Sequence, residues 1–534
     1  MSERPATGDR RRRDRQAAAG RVPGAVRWSC GVAALGAALY LLAGPASADL
    51  AAQQYRAGLG LALWDNGWFA GHHLPGYSLL FPPLGALLGA RVAGVLAALA
   101  AAALFALIAQ RRWGASAATA AGVWFAIGAT ATLVSGRLTF LLGVAVGLAA
   151  VLALQRDRRA TAALLALATA LASPVAGLFL AIAVAAWALT NWPARGAWGT
   201  AIAGAALAPT LLLAVLFPEG GDEPFVASAF WPALAAIVAV AFVLPARERE
   251  LRAAAAIYAL GCVAAFLVAT PLGGNVTRLG ALLAGPVVLG ALLSAPATRR
   301  RAAPLVVLAL GLAYWSAYPA VRDAARASGD PSTAAVYHAP LIDFLKRQGP
   351  PGSFRVEIPF TDNHWEAAHV APQIPLARGW ERQLDRRYGE LFYDGSLTAS
   401  SYRAWLDEHA VAFVALPDVN LDYAGRDEAR LIKNGLAYLS EVWRGEHWRV
   451  FAVSDPAPLA EGAVRSVTLT EDGFVIDARR AGSVMLRVRD TPWWAVTGGR
   501  ACVRPAEPGT TRVTVKRPGV VRVQARLFGD ICGR

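Results

Sequence analysis

Charge is scarce in this chain. Only 17% of its 534 residues are Asp, Glu, Lys or Arg, while 56% are hydrophobic. An ordinary soluble domain carries charge at roughly one residue in four, so water is not the main solvent for this sequence. Also missing are a P-loop, a strand–GxGxxG–helix unit, a CxxC pair and a plausible GxSxG elbow. A nucleotide-driven or serine-hydrolase mechanism therefore has no support. Cysteines number four. Cys30 and Cys262 fall in apolar runs and read as small packing residues. Cys502 and Cys532 lie near the C-terminus and pair if that end occupies an oxidising compartment. His72 and His73 are adjacent, which is not the i, i+4 spacing that puts two ligands on one helical face. No metal site and no cofactor are read from the sequence; a divalent ion is left open.

What is present in abundance is long apolar runs. Spans of about 17 to 25 apolar residues cross a hydrocarbon core of about 30 Å, and about eleven fit here: near 28–48, 80–109, 115–134, 138–154, 160–173, 175–190, 199–217, 229–245, 253–270, 277–295 and 303–319. The net charge of +15 sits largely between these runs, so it orients the chain in a bilayer and does not point to nucleic acid. With the N-terminal tail 1–27 inside, the connections holding Arg111-Arg112, Arg156 to Arg159, Arg195, Arg247 to Arg252 and Arg299 to Arg301 all fall on the cytosolic side. The other side receives Asp49, Asp65 and the acidic loop from Glu219 to Glu223. The segment 160–190 is read as a hairpin of two short spans, because Pro174 disfavours helix at Ser173 and removes a donor.

Beyond residue 320 the charge density becomes that of a soluble protein. Segments 339–347, 400–409 and 426–443 read as helices, and 354–359, 411–416 and 448–453 as strands, an alternation that predicts a small α/β unit over 321–457. Short alternating runs at 464–469, 473–477, 483–488, 512–515 and 520–527 predict an antiparallel β-sandwich over 458–534.

Candidate chemistry concentrates in the first outer loop, 49–77. Asp49, Gln53 and Arg56 follow i, i+4, i+7 spacing, so a helix continuing from the first span aligns them on one face. A carboxylate there suits a general base, and Arg56 suits a phosphate. Trp68, His72, His73 and Tyr77 follow in the same loop, with Asp65 as its second acid. Arg91, Arg137 and Arg278 stand near the outer ends of spans, where orientation rules predict few, and Asn275 precedes Arg278. An arginine at the membrane is a site hypothesis by default, and guanidiniums grip phosphate bidentately; snorkelling to headgroups is the plainer alternative. In the outer domain, Trp365-Glu366 and Arg378, Trp380 and Glu381 are dense in the aromatic and planar polar groups that sugar-binding surfaces use, and equally in those of a salt-bridge network.

These features together resemble the GT-C superfamily of integral membrane glycosyltransferases, and in particular actinobacterial-type members. The resemblance rests on the first helix, Asp49 just outside it, the loop 49–77 rich in Trp, His, Pro and Tyr, the number of spans, and the outer segments 376–383 and 391–398. It implies a polytopic α-helical fold with an extracytoplasmic C-terminal domain in the cell membrane. It further implies transfer of a sugar from a polyprenyl-phosphate carrier to an envelope glycan, lipid or protein acceptor, with Asp49 as base and Arg137 or Arg278 holding the carrier phosphate. One departure stands out: where many relatives pair two acids, Asp49 is followed by Leu50, and the next acid is Asp65. The same architecture also suits a transporter or flippase of an anionic lipid-linked substrate, or a non-catalytic envelope scaffold.

Overall fold

The computed structural model describes residues 23–74, 78–295, 302–506 and 509–532. Tyr77, the tail before residue 23 and Arg299 to Arg301 lie outside the described residues. Thirteen helices make up the first part of the described chain: α1 (Gly24–Ala43), α2 (Ala48–Leu59), α3 (Phe81–Leu88), α4 (Ala90–Trp113), α5 (Ala115–Val134), α6 (Leu138–Leu154), α7 (Arg159–Ala172), α8 (Pro174–Leu189), α9 (Trp192–Leu216), α10 (Ala227–Val243), α11 (Arg249–Leu267), α12 (Arg278–Leu293) and α13 (Ala302–Ala327). Seven helical segments are long and apolar enough to cross a membrane, and α6, α7, α8 and α10 are shorter apolar helices. Each span expected from hydropathy has its helix.

Small residues let these helices approach closely, as packing in a bilayer favours. A Cβ at Gly36 of α1 would lie 2.2 Å from the Thr130 hydroxyl of α5. The Ser29 hydroxyl of α1 reaches two backbone carbonyls, Ala102 at 3.1 Å and Gly122 at 2.9 Å, so a polar side chain inside the bundle is satisfied. At one end of the bundle Arg112 meets Glu248 at 2.7 Å and Glu250 at 2.9 Å, and Arg195 meets Glu250 at 2.6 Å. Three connections that the charge pattern assigns to one side thus share one end.

Two expectations for the spans are corrected. The stretch 80–109 is broken at Gly89 into α3 and α4. The first span does not run on through Asp49: Gly44, with φ +55°, adopts the left-handed conformation that caps α1, and α2 begins afresh after Ser47. The segment 160–190 does fold back at Ser173-Pro174. Ala170 packs against Gly177, while Ala162 and Ala166 share a core with Leu180, Ala181 and Val184. A single continuous helix would hold Ala170 and Gly177 about 10 Å apart.

The helix α13 continues past residue 320 and leads into an α/β domain. Its sheet runs in the order 355–357, 411–417, 448–453, 439–444, with the first pair parallel and the others antiparallel. The expected helix 426–443 is instead a helix, Tyr423–Lys433, followed by the strand Leu439–Arg444. Gly435, at φ +86°, separates the two. The C-terminal part is a sandwich of two four-stranded antiparallel sheets, ordered 501–505, 511–515, 482–486, 460–462 and 494–498, 519–525, 473–478, 464–470. Its strands 460–462, 494–498 and 501–505 are additions to the sequence reading. Cys502 and Cys532 form a disulfide within it, while Cys262 is buried and Cys30 half-buried as free thiols.

Residues 60–74 lie between these bodies. After α2 they form the antiparallel pair Trp64–Asp65 with His72–His73. Asn66 donates to the carbonyl of Gly473 in the sandwich at 2.6 Å, and the amide of Leu376 in the α/β domain donates to the carbonyl of Gly67 at 2.9 Å. Residues 64–73 are therefore buried structure.

Candidate active site

The residues around Asp49 come from four separate pieces of chain. Asp49 lies in the first turn of α2, Arg137 precedes α6, Arg278 opens α12, and the loop carrying Glu223 joins α9 to α10. Arg137 Nε lies 3.4 Å and Arg278 Nη2 3.9 Å from the same carboxylate oxygen, Asp49 Oδ2. The Asp49 side chain remains 35% exposed, against 19% for Arg137 and 12% for Arg278. The Phe140 ring, 5.9 Å from the Arg278 guanidinium, floors the cluster, and Arg322 of α13 adds a further positive charge that interacts with Asp49.

Gly136 explains how α2 reaches this place. It sits at φ +72° in the turn before Arg137, and a Cβ on it would lie 2.4 Å from the amide nitrogen of Leu50. Only glycine combines that backbone conformation with that closeness. The start of α2 therefore rests directly on the turn that carries Arg137.

Further along the same face of α2, the Thr139 hydroxyl hydrogen-bonds the Gln53 side chain and Arg56 pairs with Glu381 of the α/β domain. Gln53, Arg56 and Thr139 form the polar wall of a cavity of about 300 Å³ whose other lining includes Leu61, Leu63, Leu74, Leu79 and Pro82. Asn275 is half-buried in the 3-10 turn Gly273–Thr277 just before Arg278.

The other sequence candidates are engaged with partners inside the protein. Asp65 is buried, accepts from the Tyr55 hydroxyl at 2.7 and 2.8 Å and from the Gly67 amide at 2.8 Å, and burial pushes its carboxyl up to about 7. Trp68 is buried between Tyr55, with ring centroids 4.2 Å apart, and His72 at 5.7 Å. His72 and His73, being consecutive strand residues, point to opposite faces. Burial drives His72 down to about 3, whereas His73 contacts Glu219 at 2.6 Å and Thr491 at 2.8 Å. Burial alone would raise Glu219, but His73 and Tyr388 bring it down to about 2. Arg91 donates to the carbonyls of Gly44 and Pro45 at 3.2 and 2.9 Å, capping α1. Trp365 donates to the Ala46 carbonyl at 3.0 Å, which fastens the α/β domain to the α1–α2 connection, and Glu366 accepts from Thr361 at 2.6 Å. Trp380 stacks on His364 at 3.5 Å. Arg378 is wholly enclosed, with Asp385 at 2.7 Å and Glu428 at 3.1 Å. Among the described residues no group of three or more His, Cys, Asp or Glu is placed to hold a metal.

Besides Thr139, Phe140 and Arg322, one acid of this site is not a candidate in the sequence. Glu223 is treated there only as part of an acidic loop, yet its carboxyl interacts with Arg278, Arg382 and Asp49, and burial raises it to about 7. Its loop is pinned beside Arg278 by a hydrogen bond from the Glu223 amide to the Thr270 carbonyl, 3.0 Å. The signal available in sequence is an acid in an outer connection next to the one that carries an arginine.

No family model matches the chain, and no curated protein matches its sequence. Among solved structures it is similar to the arabinofuranosyltransferase AftD from mycobacteria, with 16% identity and a TM-score of 0.48 over 93% of this chain. It is also similar to ArnT from Cupriavidus metallidurans, with 13% identity and a TM-score of 0.41 over 80% of this chain. The chain spans 57% of the length of the AftD structure and 97% of that of ArnT.

Proposed function

We propose that the chain is a membrane glycosyltransferase that moves a sugar from a polyprenyl-phosphate carrier to a cell-envelope acceptor on the non-cytosolic face. The observation that carries this reading is the convergence of Asp49, Arg137 and Arg278 at the rim of the bundle, with the carboxylate partly open. Two guanidiniums directed at one oxygen form a seat for an anion. The phosphodiester of such a donor presents two negatively charged oxygens that guanidiniums grip bidentately, as they do a carboxylate, so an arriving carrier competes with Asp49 for Arg137 and Arg278.

In the proposed reaction the freed Asp49 accepts the proton of an acceptor hydroxyl. That oxygen bonds to the anomeric carbon from the face opposite the phosphate, and the carbon–oxygen bond to the phosphate breaks. The electron pair leaves with the phosphate, whose growing charge Arg137 and Arg278 stabilise, and the anomeric centre inverts. Stabilising charge where it develops is commonly the largest single contribution to catalysis. Gln53 and Arg56 face the neighbouring cavity, and in this reading the acceptor enters there, beside the base.

The test is transfer from a polyprenyl-phosphate sugar by the full chain in lipid nanodiscs. Asp49→Asn is expected to abolish transfer while the protein stays folded; full activity in that variant overturns the proposal.

A further inference from the structure

The C-terminal loop of the sandwich, residues 526–532, presents Phe528 at 98% exposure, Ile531 at 50% and Leu527 at 44%. A soluble surface seldom leaves a phenylalanine bare in such company. The loop is also well defined. The Arg526 amide donates to the Trp493 carbonyl at 2.8 Å, Val496 to Asp530 at 3.0 Å and Val503 to Ile531 at 2.8 Å, and the Cys502–Cys532 disulfide closes it.

Three observations place this loop at the outer ends of membrane helices. Trp493, which holds Arg526 through its carbonyl, donates its indole N–H to the carbonyl of Leu216, the last residue of α9, at 3.2 Å. The Trp493 ring lies 5.5 Å from Phe217. Leu527 lines the same cavity as Pro82 at the start of α3 and Thr139 at the start of α6. Beside it α3 exposes Leu84, Leu87 and Leu88, and the loop before β-pair 64–73 exposes Leu61. Leu61 and Leu527 line the same cavity, so the sandwich and the bundle both contribute apolar residues on this side.

We infer that the disulfide-closed loop 526–532 dips into the outer leaflet of the membrane that holds the bundle, with Phe528 among the lipid chains. Burial of Phe and Leu side chains in the headgroup–acyl boundary supplies the attraction. The sandwich is thereby held to the bilayer on the flank where the cavity opens.

The experiment is spin labelling of the full chain in nanodiscs of phosphatidylglycerol and phosphatidylethanolamine, in a Cys30→Ala, Cys262→Ala background with the disulfide intact. Labels are placed at Phe528→Cys, at Leu42→Cys on the lipid-facing side of α1, and at Lys516→Cys, in the turn at the far end of the strand Gly519–Ala525. Accessibility to oxygen and to a water-soluble nickel complex is then compared. The label at 528 is expected to behave like that at 42, favouring oxygen over nickel by about tenfold relative to the label at 516. A label at 528 that matches 516 overturns the inference. A label shielded from both reagents also overturns it, because a protein partner or a second copy then covers the loop.

Discussion

Two clusters in this molecule are built from the same groups and differ in how they are closed. Around Arg378 the guanidinium is sealed between the Phe360 and Phe392 rings at 4.1 and 3.9 Å, and bonds Asp385 through two nitrogens at 2.8 and 2.7 Å. Glu357 and Glu428 complete the enclosure without exposure to solvent. Around Asp49 two guanidiniums stand at 3.4 and 3.9 Å from one oxygen of a carboxylate that is still a third exposed. A charge that already has every partner it needs holds a fold together, since removing one partner strands the others. A charge whose partners are loosely held and reachable can exchange them for a ligand. Density of Arg and acid alone does not distinguish the two; distance and exposure do.

The sharpest way to break this contrast is to mutate each centre and measure both stability and transfer. Asp49→Asn is expected to lower the transfer rate by about 10²- to 10⁴-fold, the range for loss of a general base, with an unchanged melting temperature. Arg378→Met is expected to do the reverse in kind. Stranding three buried carboxylates should cost about 3–5 kcal/mol, seen as loss of the cooperative melt of the outer domain. If Arg378→Met melts normally and only transfer fails, the structural reading of that cluster is wrong.

Gly136→Ala probes how finely the open cluster is set. The added Cβ meets the Leu50 backbone, so α2 must shift, and a displacement near 1 Å is expected to reduce transfer by about 10²-fold with a smaller change in stability. Retention of full activity would show that Asp49 needs no such positioning.

The smallest expected effect is in the pH dependence of stability. Asp65 is raised from 3.8 to about 7 by burial, so its contribution is complete below pH 4 and is lost as pH rises to about 7. The melting-temperature difference between wild type and Asp65→Asn is expected to shrink by a few degrees from pH 5 to pH 8. Glu428, likewise raised by burial, acts in the same direction, whereas His72, held down to about 3, acts against it, so the comparison with Asp65→Asn and not the wild-type profile alone tests the Asp65 assignment.

Much of the fold was legible because its causes are local. Apolar length gives spans, Pro174 gives the hairpin, and alternation gives the sandwich strands. The errors are also local in origin. Gly44 and Gly89 each interrupt a run whose hydropathy is continuous, and the span 426–443 mixes a helix and a strand because hydrophobic content alone does not reveal the turn at Gly435. At the site, arginines near outer ends were visible as anomalies, but Arg91 looked the same as Arg137 and Arg278. What separates them is the partner: backbone carbonyls for Arg91, the Asp49 carboxylate for the others.

By itself the sequence determined which segments avoid water and which connections carry charge, because transfer free energy is a property of each residue and its immediate neighbours. Only the tertiary structure decided that Asp49, Arg137, Arg278 and Glu223 share one place, that Asp65 and Arg378 are enclosed, and that Phe528 stands at the rim. Those facts depend on the packing of helices far apart in the chain, and no local propensity encodes the distance between them.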